Sequence, residues 1–91
     1  MRLRDKVAII TGAGRGIGKA IALGFAEQGA HIVSAARTES EVKEVAEKVR
    51  ELGRESLGIA CDVTDEDQVK NLVQQTLDKF KKINVLINNE R

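Results

Sequence analysis

A glycine-rich turn near the amino terminus carries the residue types best suited to chemistry. It runs from Thr11 to Gly18 with the sequence TGAGRGIG, after a short apolar run and before a segment with helical periodicity. Glycines allow positive φ angles and let the backbone approach a phosphate, and the free N–H groups at a helix start attract an anion. The turn therefore predicts phosphate binding, and a purely structural turn is the alternative.

Two common phosphate-binding patterns do not fit this turn. The pattern Gly-x-Gly-x-x-Gly, started at Gly12, requires a glycine where Ile17 stands. The Walker pattern requires a glycine at Ala13 and a serine or threonine at Ala20. This mismatch disfavours an ATPase or a GTPase. The spacing that does fit is Thr-Gly-x-x-x-Gly-x-Gly.

Short apolar runs alternate with longer helical segments along the chain and would hold this turn in place. The runs are too brief for stable helices, and three of them are rich in β-branched residues, so they are predicted to be strands buried on both faces. The predicted strands are Val7–Ile10, Ile32–Ala36, Leu57–Cys61 and Ile83–Ile87. The segments between them carry apolar residues at the 3.6-residue period of a helix.

Local signals predict where the three helices begin and end. The first helix runs from about residue 16 to residue 28, and Gly29 suits a left-handed C-cap. Its apolar face is predicted to consist of Ile17, Ile21, Gly24 and Phe25. Thr38 and Glu41 could form a capping box that opens the second helix, which Gly53 closes, and Thr64 with Asp67 could cap the start of the third.

The order β-α-β-α-β-α-β predicts the fold. Strands that alternate with helices of this length imply right-handed crossovers and a parallel sheet with helices on both faces. The chain is therefore predicted to be α/β and to form half of a doubly wound fold, as one domain over residues 1–91. Such sheets bind ligands beyond the carboxyl ends of their strands, so the predicted binding region comprises the loops after Ile10, Ala36, Cys61 and Ile87.

Composition excludes several classes of function. Fifteen Lys and Arg residues are interspersed with 14 Asp and Glu residues, and Phe25 and Phe80 are the only aromatic residues, so nucleic-acid binding is not expected. The single Cys61 and the single His31 predict a reducing compartment, by default the cytoplasm, and no metal site. No apolar run approaches the roughly 20 residues of a membrane span, and neither a membrane partner nor a signal peptide is expected.

The glycine turn and two later motifs closely resemble the short-chain dehydrogenase/reductase family, of the 3-oxoacyl-carrier-protein reductase kind. The residues that match the family's glycine motif are Thr11, Gly12, Gly16 and Gly18. Asp62 and Val63 follow the third strand and Asn88 and Asn89 follow the fourth, in that family's order and at about its spacings. The resemblance implies a three-layer Rossmann-type parallel sheet with strand order 3-2-1-4, truncated to its cofactor-binding half.

The resemblance also implies how these residues would hold a dinucleotide. The glycine turn would hold the pyrophosphate and the adenosine ribose, and Asp62 and Val63 would border the adenine. Asn89 would lie near the adenosine-side ribose, and Asn88 would help to fix the fourth strand. Taken alone, Asp62 could be an ordinary turn residue at a strand end, and the two asparagines could be the polar end of a strand.

The end of the second strand indicates which dinucleotide would bind. An NAD-selective site places a carboxylate about 20 residues after the glycine turn, where it binds the ribose 2′-hydroxyl. Ala36 stands there, Arg37 follows it, and Arg15 lies within the turn. Two guanidinium groups could bracket a 2′-phosphate, so NADP(H) is predicted over NAD(H), with solvated surface arginines as the alternative. The predicted cofactor-binding residues are Gly12, Gly14, Arg15, Gly16, Ile17, Gly18, Arg37, Asp62, Val63, Asn88 and Asn89.

No catalytic residue is predicted within this chain. Members of the family transfer hydride between a nicotinamide cofactor and a carbonyl or alcohol with a Tyr, a Lys and a Ser in the second half of the fold, and the 91 residues include no tyrosine. The chain is therefore expected to be part of a longer NADP-dependent oxidoreductase and inactive alone. A stand-alone NADP(H)-binding module and a partner-binding protein are the alternatives. The substrate is not predicted, and 3-oxoacyl thioesters or a generic ketone would follow from family prevalence alone.

The last residues depart from the family pattern. Glu90 and Arg91 stand where the family usually has Ala-Gly after the paired asparagines. With strand order 3-2-1-4, the outer edge of the fourth strand would be unpaired and its apolar run exposed. The chain is therefore expected to self-associate through this edge.

Overall fold

The computed structural model describes residues 2–89 and shows a four-stranded parallel sheet with helices on both faces. The elements are β1 (Val7–Thr11), α1 (Gly16–Glu27), β2 (His31–Ala36), α2 (Glu39–Glu51), β3 (Ser56–Ala60), α3 (Glu66–Phe80) and β4 (Val85–Asn88). The predicted α/β class and the strand order β3-β2-β1-β4 are confirmed. No helix within residues 2–89 is long and apolar enough to cross a membrane.

The strands are added to one side of β1 as far as β3, and the chain then crosses to the other side of β1 to add β4, so the strand order reverses at β1. α1 and α2 lead from β1 through β2 to β3 and cover one face, where Ile10 and Val45 belong to one core cluster. α3 leads from β3 across to β4 and covers the other face, where Ile9 clusters with Leu72. Right-handed crossovers require this change of face when the direction reverses. A crevice therefore opens at the carboxyl end of β1.

Both edge strands differ from the prediction that all four strands are buried on both faces. In β3, Leu57 is half buried and Ala60 is exposed. β1 is fully buried, but β4 alternates between half-buried and exposed residues, and Leu86 is 63% exposed. Val85 and Ile87 pack against the core beneath α1, whereas Leu86 faces the side of α3. The helix α3 packs mainly over β1, β2 and β3, so within the described residues nothing covers this face of β4.

The apolar face predicted for α1 is wrong in its first turn. Ile17 is 73% exposed, and the buried residues of the helix are Gly18, Ala22 and Ala26. Small side chains let α1 approach the sheet closely, so its larger apolar residues, such as Phe25, flank the contact and are only half buried. The first turn extends past the sheet into the crevice, and for this reason Ile17 has no core to pack against.

The predicted helix ends are partly confirmed. Gly29 and Gly53 have positive φ after α1 and α2, as predicted. Thr38 is the N-cap of α2, but its side chain makes no capping hydrogen bond. The prediction that Thr64 caps α3 is wrong: the N-cap is Asp65, whose side chain accepts backbone N–H groups of the first turn. A carboxylate at this position also complements the helix dipole.

Candidate functional site

A cleft of about 580 Å³ opens at the carboxyl ends of β1 and β2. Its walls come from the glycine turn, the first turns of α1 and α2, and the loop after β3. The lining residues are Gly12, Gly14, Arg15, Gly16, Ile17, Ala36, Arg37, Thr38, Glu41, Cys61, Val63 and Asn89. The cleft therefore lies at the position that the reversal of strand order predicts.

The Thr11 hydroxyl ties the end of β4 to the glycine turn. It donates to Asn88 Oδ1 at 3.0 Å and accepts the Asn89 backbone N–H at 3.0 Å, and Thr11 itself is only 5% exposed. Asn89 Nδ2 reaches back to the Gly12 carbonyl at 3.4 Å. A buried hydroxyl that both donates and accepts fixes two strand ends relative to each other, which sets the shape of this end of the cleft.

Three glycines let the backbone of the turn fold onto itself. Gly12 has a φ of 63°, and a Cβ there would collide with the Asn89 carbonyl. A Cβ at Gly18 would collide with the Gly12 carbonyl, so the start of α1 packs directly on the turn. Gly16 has open space around it but a φ of 62°, a conformation that side chains disfavour. Each glycine is required for a different physical reason.

The start of α1 presents unused backbone donors to the cleft. Arg15 occupies the N-cap in an extended conformation, its side chain makes no capping bond, and the first turn holds no acidic residue. The first N–H groups of a helix have no partner within the helix, and the dipole places partial positive charge there. This end of the cleft can therefore bind an anion without displacing a side-chain cap.

The opposite wall carries a linked pair of charges. Arg37 Nη2 lies 3.8 Å from Asp62 Oδ1, and the Arg37 side chain is 75% exposed. Asp62 Oδ1 also accepts the Thr64 hydroxyl at 2.7 Å and the Thr64 backbone N–H at 3.0 Å. The Thr64 hydroxyl, the Thr64 N–H and the Arg37 charge lower the pKa of Asp62 below its ordinary value. Asp62 is therefore an ionised acceptor at neutral pH and makes the turn bonds of an Asx residue.

Most of the residues predicted from sequence meet in this cleft. Those that line it are Gly12, Gly14, Arg15, Gly16, Ile17, Arg37, Val63 and Asn89. Gly18 contacts Gly12 of the lining, and Asn88 contacts Thr11 at the start of the glycine turn. Asp62 lies beside the lining, where it pairs with Arg37. Glu90 and Arg91 lie outside the described residues.

Four lining residues are absent from the predicted cofactor-binding residues: Ala36, Thr38, Glu41 and Cys61. Cys61 directly follows β3, and Thr38 and Glu41 belong to the N-cap and first turn of α2, just after β2. The rule that ligands bind at and beyond strand ends was a signal for Ala36, Thr38 and Cys61, but not for Glu41, which lies within α2. In residues 2–89 no cluster of His, Cys, Asp and Glu could hold a metal ion.

Comparisons with known proteins agree with this geometry. A family model described as short chain dehydrogenase matches residues 6–90. The chain is 46% identical to an uncharacterized oxidoreductase of Mycobacterium tuberculosis, over 97% of this chain and 34% of that protein. It is 38% identical to 7alpha-hydroxysteroid dehydrogenase of Escherichia coli, over 98% of this chain and 35% of that enzyme. The chain thus spans about a third of the length of these relatives.

Two solved structures have the same fold over nearly the whole chain. A crystal structure of hydroxysteroid dehydrogenase from Escherichia coli superposes with a TM-score of 0.95 at 38% identity, covering 99% of this chain and 38% of that one. A crystal structure of NAD+-bound xylitol dehydrogenase superposes with a TM-score of 0.94 at 37% identity, covering 99% and 35%. Sequence and backbone therefore point to one family.

Proposed function

Because the chain belongs to the short-chain dehydrogenase family, we propose that residues 1–91 form a single partial Rossmann domain that binds NADP(H). The parent oxidoreductase would transfer hydride between NADP(H) and a carbonyl or alcohol substrate. The names of the relatives, hydroxysteroid dehydrogenase and xylitol dehydrogenase, support a carbonyl/alcohol couple. Bound NADPH supplies the hydride in such a reaction, and NADP+ accepts it.

The observation that carries the choice of NADP(H) is the charge around the cleft. Arg15 and Arg37 both line it, and the side chain at the end of β2 is Ala36, which cannot accept a hydrogen bond from a ribose 2′-hydroxyl. Guanidinium groups bind phosphate through charge-assisted bonds, and two of them within one cleft favour the 2′-phosphate that distinguishes NADP(H) from NAD(H).

The remaining predicted residues would hold the rest of the adenosine diphosphate. The pyrophosphate would accept the free N–H groups at the start of α1, beside Gly12 and Gly16. Val63 would lie against the adenine and Asn89 near the adenosine-side ribose, with Asp62 beside the adenine as a fixed acceptor. The exposed Ile17 gives the rim of the cleft an apolar surface for the ligand.

The chain is proposed to bind the cofactor and not to perform the chemical step. Its 91 residues include no tyrosine, the acid/base residue that the resemblance implies for the family's reaction. A second candidate function is a stand-alone NADP(H)-binding module or an interaction protein. The cofactor-binding half of an oxidoreductase and the stand-alone module would both bind NADP(H) in this cleft, whereas an interaction protein would not. A binding experiment therefore separates the first two from the third.

Isothermal titration calorimetry of the 91-residue chain with NADPH and with NADH tests the proposal. We expect saturable binding of both and tighter binding of NADPH. Raising the salt concentration should weaken NADPH binding more than NADH binding, because the additional contact is between charges. Absence of binding of both dinucleotides at millimolar concentration would refute the proposal and favour an interaction protein. Oxidoreductase activity is then to be measured on a parent protein that includes a Tyr-x-x-x-Lys motif.

A further inference from the structure

Glu41 brings a carboxylate to the part of the cleft where the end of β2 has none. It lies in the first turn of α2, is half buried and lines the cleft. A Cβ placed on Gly14 would lie 2.6 Å from Glu41 Oε1 and 3.5 Å from the Ala36 Cβ, so both side chains approach Gly14. The Glu41 carboxylate therefore lies against Gly14, in the same part of the cleft as the Ala36 side chain.

This carboxylate is available for a ligand. Within residues 2–89, Glu41 takes part in no ion pair and its side chain makes no hydrogen bond. Two other charged side chains near this end of the cleft have partners: Arg37 pairs with Asp62, and Glu44 pairs with Lys19 at 3.6 Å. A half-buried carboxylate without a partner in a binding cleft is an acceptor that a ligand hydroxyl can use.

We propose that Glu41 is a specificity-determining residue for the dinucleotide, an inference that rests on the proposed function. Its carboxylate takes the place of the missing acid at Ala36: it accepts a hydrogen bond from the 2′-hydroxyl of NAD(H) and repels the 2′-phosphate of NADP(H). Arg15 and Arg37 attract that phosphate and Glu41 opposes them. The affinity ratio of NADP(H) to NAD(H) is therefore smaller than it would be with the two arginines and no Glu41 carboxylate, and the site also binds NAD(H).

The test compares the dissociation constants of NADPH and NADH for the full 91-residue chain and its Glu41→Gln variant. Two unit charges about 4 Å apart in water interact with about 1 kcal/mol, so removing the Glu41 charge at such a separation from the phosphate should tighten NADPH binding by roughly fivefold. NADH binding should stay equal or weaken, since an amide is a poorer acceptor for the hydroxyl. Glu41→Lys should shift the NADPH/NADH preference further in the same direction.

Glu39→Gln is the matched control. Glu39 also lies in the first turn of α2, so it loses the same favourable interaction with the helix dipole, but it is exposed and does not line the cleft. Its substitution should leave the NADPH/NADH preference unchanged. Circular dichroism melting curves show whether each variant is folded as the unaltered chain is.

The outcomes separate this inference from the proposed function. If the unaltered chain binds both dinucleotides and neither Glu41 variant changes their relative affinity, Glu41 does not determine specificity and the proposed function stands. An equal change in Glu39→Gln would also overturn the inference, because it would assign the effect to the helix start. If the unaltered chain binds neither dinucleotide, the proposed function and this inference both fail.

Discussion

Reversing the charge of Arg37 should move the chain from NADP(H) toward NAD(H). The side chain is 75% exposed and its pair with Asp62 is 3.8 Å long, which is a surface ion pair that contributes about 0–1 kcal/mol to stability. The variant Arg37→Asp should therefore fold almost as well as the unaltered chain. Its effect should appear in the binding of the 2′-substituent.

The magnitude follows from the bond that is lost. A charge-assisted hydrogen bond contributes about 1.5–3 kcal/mol, and the exposure of Arg37 places its bond to a 2′-phosphate near the lower value. About 1.4 kcal/mol corresponds to a tenfold change in dissociation constant, so NADPH should bind at least roughly tenfold more weakly. NADH should bind equally well or better, because the new carboxylate at this position accepts the 2′-hydroxyl.

Calorimetric titrations of the unaltered chain, Arg37→Asp and Arg4→Asp provide the assay. Arg4 is exposed and precedes β1, so it lies at the amino ends of the strands, opposite the cleft. Arg4→Asp makes the same change in net charge and should leave the NADPH/NADH affinity ratio unaltered. The reasoning is refuted if that ratio is the same in Arg37→Asp as in the unaltered chain, or if Arg4→Asp lowers it equally.

Three further predictions concern the packing of the glycine turn, the acid stability of the chain and the exposed sheet edge. Gly18→Ala should lower the free energy of unfolding by about 1–3 kcal/mol in urea titrations, because the new Cβ would collide with the Gly12 carbonyl. Gly24→Ala, in the same helix but with open space around it, should instead raise the free energy of unfolding by about 0.5–1 kcal/mol. Equal effects of the two substitutions would contradict the close packing at Gly18. The lowered pKa of Asp62 implies a stabilising contribution that is present above the ordinary carboxyl pKa of 3.8 and is lost as the pH falls through the lowered value. Asp62→Asn should therefore flatten the acid side of the stability curve measured by circular dichroism, and an unchanged acid side would count against these bonds. Leu86→Lys should reduce self-association in light scattering more than Leu52→Lys, which changes an exposed leucine at the end of α2; a monomeric unaltered chain at micromolar concentration would contradict this expectation.

The local patterns of the sequence were sufficient for the α/β class and the glycine turn, whereas the strand order and the later motif residues came from the family resemblance. The alternation of apolar runs and helical segments predicts the element order, and the crossover rule then determines the faces that the helices cover. The spacing of Gly12, Gly16 and Gly18 predicts a glycine turn that leads into a helix, and in the structure Gly18 packs on the Gly12 carbonyl. Such features depend on residues close together in the sequence.

The errors arose where the packing of the folded chain, or a choice between neighbouring side-chain bonds, decides the outcome. Ile17 has the helical period of a core residue, but the first turn of α1 extends beyond the sheet and exposes it. Thr64 and Asp65 are both good caps, and the choice between them depends on the bonds that Thr64 makes with Asp62. Glu41 was missed because its closeness to Gly14 exists only after α2 has packed beside the glycine turn.

A crystal structure of this chain with NADP+ bound is the most direct test of the cofactor assignment. We predict that the pyrophosphate binds the N–H groups that begin α1, and that the 2′-phosphate lies within hydrogen-bonding distance of the guanidinium of Arg37 or Arg15. A dinucleotide bound outside the cleft, or a 2′-phosphate that contacts neither arginine, would contradict it.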